Sequence, residues 1–185
     1  MKATKSVLMM IIALLTLTLP IAAYSFPIAA AGTEGLSVIV TSTDHVLATY
    51  QGNSAQYSND LYLNGEFIFN NHSTSIGTVV DLGSFEIGTE LVFQLHVNDT
   101  GNDFYTGAAA RNPDGHTHAR VQEEWEPNVT LVSFEDLFNG AFEYNDLSFS
   151  FTNTSTTNPV PIPGAVWLFG SGLAGLIGLN RRYFG

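Results

Sequence analysis

The chain has 185 residues, no cysteine and a formal net charge of −11, with six basic residues against 17 acidic ones. The missing cysteines exclude disulfides, thiolate metal ligands and cysteine nucleophiles. The negative charge disfavours nucleic acid and anionic lipid as partners, because both would be repelled.

Lys2 and Lys5 open the chain as a positive n-region, and residues 7–19 follow as an uncharged, largely apolar run. Pro20 ends that run. Ala23-Tyr24-Ser25 then places small residues where a signal peptidase cuts, and Ala29-Ala30-Ala31 is a second such place. The run is short for a bilayer span. Residues 1–25 are therefore expected to be a signal peptide, with a retained N-terminal anchor as the alternative.

Beyond it, long helical periodicity is missing. Runs of β-branched and aromatic residues recur between Gly, Asn, Asp and Ser clusters, which predicts strands at 36–40, 45–50, 60–63, 66–70, 78–81, 90–97, 119–122, 129–133 and 147–152. The string LYL-NG-EFIF predicts a hairpin, since Asn64-Gly65 tolerates positive φ. In 90–97, Leu91, Phe93, Leu95 and Val97 point one way and Glu90, Gln94 and His96 the other, and Leu147, Phe149 and Phe151 alternate likewise with Ser148, Ser150 and Thr152. Each reads as a strand with one wet face. The expectation is an all-β fold over 26–151, a single β-sandwich with a jelly-roll as its more specific form.

Two acidic segments carry oxygen ligands. Glu135, Asp136, Asn139, Glu143, Asn145 and Asp146 fall within one short stretch around Gly140. Hard cations such as Ca²⁺ take six to eight oxygens, and a loop between strands can supply several. The same residues equally suit a solvated turn. Asp99 and Asp103 form a second acidic loop, and the Asn112-Pro113-Asp114-Gly115 run has the chemistry of a turn. His116 and His118 lack an evident third ligand. Glu123, Glu124 and Glu126 flank Trp125 and read as a solvated loop, and no Gly-x-Ser-x-Gly elbow occurs. No catalytic residues are assigned, and an enzyme is not expected.

A polar, Thr-rich linker is expected over 152–159. After it, residues 162–179 are uncharged; as a helix they would be about 27 Å long, against a hydrocarbon core of roughly 30 Å. Trp167 and Tyr183 lie near the ends as interfacial aromatics, and Arg181 and Arg182 favour the cytoplasmic side. The expected topology places the N-terminus outside and the C-terminus in the cytoplasm. A plain membrane anchor is the alternative.

With Val160, Pro161, Pro163, the apolar run and Arg181-Arg182, the segment 160–185 resembles the PEP-CTERM sorting signal of Gram-negative bacteria. It departs by having Ile162 between the prolines, where glutamate is usual. The resemblance implies recognition by a membrane-embedded exosortase, transient anchoring in the inner membrane, and delivery to the cell surface or extracellular matrix. The string FEDL…GxxxEYNDLSFSF is similar to the family called domain of unknown function 4114 at Glu135, Asp136, Leu137, Gly140, Tyr144, Asn145 and Asp146. Ala141 and Glu143 depart from that pattern, the first losing a carboxylate.

Together these point to an exported surface or matrix protein with a structural or adhesive role and Ca²⁺ as a stabiliser. A carbohydrate-binding module of the exopolysaccharide, using Tyr50, Tyr57, Tyr105 or Trp125, is the second expectation. A surface hydrolase is the third.

Overall fold

The computed structural model describes residues 26–156, which are strand, turn and loop apart from one 3₁₀ turn at Ala109–Arg111. The expected signal peptide at 1–25 and the expected sorting tail at 160–185, with its expected helix 162–179, lie outside the described residues. Among those described, no helix is long and apolar enough to cross a membrane.

The strands in chain order are β1 (Val38–Val40), β2 (Leu47–Gly52), β3 (Asn59–Leu63), β4 (Glu66–Asn70), β5 (Val79–Asp81) and β6 (Glu90–Leu91). They continue as β7 (Phe93–Val97), β8 (Asn102–Tyr105), β9 (Ala119–Glu126), β10 (Val129–Phe134), β11 (Leu147–Thr152) and β12 (Thr154–Ser155). They form three antiparallel sheets in the orders β5-β2-β11-β10-β9, β4-β3-β7-β8 and β12-β1-β6. The all-β expectation holds. β6 and β7 are one extended run, broken at Val92, that serves two sheets in turn.

Side-chain alternation explains where the core sits. Leu91, Phe93, Leu95 and Val97 are fully shielded, as their alternation predicts. Phe93 of β7 stacks on Phe151 of β11 with centroids 4.1 Å apart, and Phe149 meets Phe151 edge-on at 5.0 Å. The five- and four-stranded sheets therefore face each other across an aromatic core. Asn64 (φ 53°) and Gly65 (φ 83°) close the β3–β4 hairpin, the positive φ at both positions that a two-residue turn of this kind needs.

Three expectations are corrected. Ser148 and Ser150 of β11 are buried rather than wet: the N-terminal segment lies over the sheet at Ser148, and Gln51 Nε2 donates to Ser150 Oγ at 2.9 Å. Ser148 Oγ donates to Pro27 O at 2.6 Å, and Ala29 N donates to Ser133 Oγ at 2.9 Å. Phe26 packs so close to Gly52 (φ 136°) that a Cβ there would sit 2.7 Å from Phe26 Cβ. The glutamates around Trp125 lie within β9, not a loop, and the Glu123 carboxylate accepts from Ser155 and Thr156. The polar stretch expected as a linker from 152 onward begins inside the fold. Asn153 (φ 57°) turns the chain so that Thr154–Ser155 pair with β1.

Candidate cation centre

The pairing of β10 with β11 builds the site. Phe134 is opposite Leu147, and Asp146 N donates to Phe134 O. The residues just past one strand end, Glu135 and Asp136, are thereby held against the residue just before the other, Asp146. Register brings together carboxylates ten residues apart. Carboxylate oxygens of Glu135, Asp136 and Asp146 all lie within 4.8 Å of one another, and each residue is less than a tenth exposed. The loop between them is tightly wound, with Asn139, Phe142 and Tyr144 at positive φ.

Each carboxylate has different company. Glu135 accepts from the main-chain N–H groups of Leu137, Glu143 and Tyr144, so it caps its own loop. Asp146 accepts from Asp136 N at 2.9 Å. Asp136 accepts from Asn59 Nδ2 at 2.8 Å. Burial above all, then the charge of Asp136, pushes Asp146 up to about 8. Asp136 is raised too, again chiefly by burial, with Glu135 and Asp99 adding repulsion. No lysine or arginine among the described residues relieves this. Arg111 and Arg120 are the only arginines among the described residues, which hold no lysine, and they pair with Glu90 and Glu34.

The three carboxylates lie in the wall of a cleft of about 500 Å³, with Ser54, Gln56 and Tyr57 among its other residues. Asn59 is fully buried, and its Oδ1 has no hydrogen-bond partner among the described residues. Its amide already reaches Asp136, and the two ends of an amide exchange by a half-turn. The donor set is thus all oxygen, buried and uncompensated, which fits a hard divalent cation. Glu135, Asp136 and Asp146 would hold it, with Asn59 as a neutral fourth donor.

The other expected ligands divide. Glu143 and Asn145 line the cleft, and Asn145 Nδ2 donates to Glu143 Oε2. Asn139 does not line it; exposed, it gives its backbone N–H to Asp114 Oδ2. Asp99 and Asp103 do not form a second centre. Asp99 accepts from Ser58 N, whereas Asp103 lies in β8 and accepts from Gln94 and His96. They diverge because the turn ends at Gly101 and a strand begins at Asn102, a strand absent from the sequence-based expectation.

Sequence reasoning missed Asn59, Ser54 and Gln56. They come from the β2–β3 connection and the start of β3, more than 70 residues from the acidic loop, and nothing local marks them. It also undervalued Asp114 and His118, whose side chains are fully shielded and lie 2.9 Å apart. Burial alone would raise Asp114, but hydrogen bonds from Asn139 N, His118 and His116 N outweigh it and hold the carboxyl down to about 2. Of the four aromatics expected to be exposed, Tyr50 is buried, its hydroxyl donating to Asn71 O.

No family model, curated protein or solved structure matches this chain.

Proposed function

We propose that the protein is an exported β-sandwich with a structural or adhesive role at the bacterial surface or in the extracellular matrix, its β10–β11 connection locked by Ca²⁺. One observation carries the calcium part of this reading: three buried carboxylates share a site, and among the described residues both arginines are paired elsewhere and there is no lysine. Neutralising them on an ion removes the repulsion and fixes the strand ends that flank the loop. The export part is supported by the basic-apolar start of the chain and by its proline, apolar and arginine tail. On this reading an exosortase-type enzyme processes that tail and the helix 162–179 is a temporary tether.

Thermal unfolding of the metal-stripped full chain, with and without millimolar CaCl₂, tests the centre. A rise in Tm that EGTA reverses is expected, and an unchanged Tm removes calcium from the account. Recovery of the intact chain in the cytosol on fractionation would remove export.

A further inference from the structure

The outward face of the β4-β3-β7-β8 sheet carries a second surface, independent of the cation centre. Strand register aligns Phe67, Tyr62, Gln94 and Tyr105 in one row across all four strands. The next row along the strands reads Asn70, Asp60, His96 and Asp103. These positions alternate with the buried Leu61, Leu63, Phe93, Leu95 and Phe104, so they point away from the core. Phe67 is 56% exposed, and the other members of both rows are partly exposed.

We propose that this face binds a neutral polysaccharide across its strands. Tyr62 and Tyr105 are two strand spacings apart, roughly 10 Å, about the length of a disaccharide. Phe67 extends the row by one more strand and meets Tyr62 edge-on at 5.9 Å. Aromatic faces offer apolar platforms to the C–H faces of pyranose rings. The adjacent row supplies fixed acceptors for sugar hydroxyls. Asp103 Oδ1 accepts from Gln94 Nε2 at 2.8 Å and faces His96 Nδ1 at 2.7 Å. Its carboxylate plane is therefore set before any ligand arrives, and such preorganisation lowers the cost of binding. Asp60 is held similarly by Asn70 Nδ2 at 2.7 Å.

Charge and composition choose the partner class. No lysine or arginine occurs on these four strands, while Asp60, Glu66 and Asp103 do. A uronic-acid polymer or a nucleic acid would be repelled. A protein partner would want a well-packed apolar centre, and Phe67 is the only strongly exposed apolar side chain of the rows. Hydroxyl-rich, uncharged chains suit what remains.

Affinity electrophoresis of the full chain, in a sugar-free polyoxyethylene detergent, tests this with gels containing hydroxyethylcellulose, xylan, laminarin or galactomannan, and alginate as the anionic control. Retardation is expected in at least one neutral gel and not in alginate. Tyr62→Ala and Tyr105→Ala should each weaken it about fivefold to tenfold. Gln94→Lys, which leaves both rings in place, should abolish it. Asp146→Asn should leave it unchanged, so that failure of the cation reading and failure of this one are separable. Absence of retardation in every neutral gel, retardation in alginate alone, or retardation that survives the Tyr62→Ala/Tyr105→Ala double substitution with Tm intact overturns the proposal.

Discussion

Asp114 and His118 are joined through Asp114 Oδ2 and His118 Nε2 at 2.9 Å, and the other ring nitrogen, Nδ1, lies 2.9 Å from Glu135 O. One imidazole thus ties the Asn112–Gly115 turn to the first residue of the acidic loop. The ring is stacked flat on Phe104, with centroids 3.7 Å apart and planes 10° from parallel. Asp114 adds a second strap by accepting from Asn139 N. Two segments that read separately in the sequence, a turn and an acidic cluster, are mechanically one unit.

His118→Phe should preserve the stack and lose both polar ties, leaving a shielded carboxylate without its partner. A loss of about 3 kcal/mol is expected, read by urea unfolding. Adding Asp114→Asn should recover part of it, since the shielded charge that has lost the imidazole is then gone. Equal destabilisation in the single and double variants would mean that the pair carries no coupling.

The metal-stripped protein should respond to pH in two opposite ways. Asp146, raised to about 8 by burial and then Asp136, binds its proton more tightly when folded than at its unfolded value near 4. Its stabilising contribution is complete below about pH 4 and is lost as pH climbs toward about 8. Asp114, held down to about 2, contributes above about pH 4 and loses that as pH falls toward 2. On these two groups, Tm without calcium should peak in mildly acidic buffer and decline by pH 8, and saturating calcium should erase the decline. A Tm that climbs steadily from pH 5 to 8 without metal contradicts the assignment.

Asp146→Asn replaces a carboxyl that, near neutral pH, must take up a proton to be buried in the folded cluster. Without metal it should raise stability by at least about 1 kcal/mol, since a shift of one pKa unit is about 1.4 kcal/mol. It should also remove the response of Tm to calcium. Differential scanning calorimetry of both proteins, with and without CaCl₂, checks both halves of the expectation.

Phe26, Pro27 and Ala29 cover the sheet face at Gly52, Ser133 and Ser148, and Ala30 N donates to Gln122 Oε1. Cutting after Ala31 would strip that cover and expose two buried serines. If the chain is exported as proposed, N-terminal sequencing of the mature protein should therefore begin at Phe26. A chain that starts at Gly32 and keeps the same Tm would show that the cover is dispensable.

Phe93→Ala should cost about 3–5 kcal/mol, because the ring fills the space between the two larger sheets. A loss below about 1 kcal/mol in urea would mean that the sheets close over the cavity.

Strand positions were legible wherever alternation was strong. The β3–β4 hairpin, the 90–97 run and β11 all follow from period-two hydrophobicity and one Asn-Gly turn, because such a pattern fixes which face of a strand meets the apolar core. The strand β8 was not legible, since Asn102-Asp103 is polar and acquires strand form only by pairing with His96 and Val97. β12 was hidden for the same reason: Thr154-Ser155 has no apolar signal and is held by β1.

The acidic stretch from Glu135 to Asp146 was visible as composition, because oxygen ligands close in sequence are easily counted. Which of them meet was decided by the β10–β11 register, which sets Glu135 and Asp136 against Asp146 and turns Asn139 toward Asp114. Asn59 entered from a distant strand, and the row from Phe67 to Tyr105 exists only once four strands are in register. Sequence by itself determined the all-β class, the apolar character of the two ends and the supply of carboxylates, since these depend on local chemistry. Tertiary structure alone decided which carboxylates are buried together and which aromatics share a surface, because both depend on pairings between residues far apart in the chain.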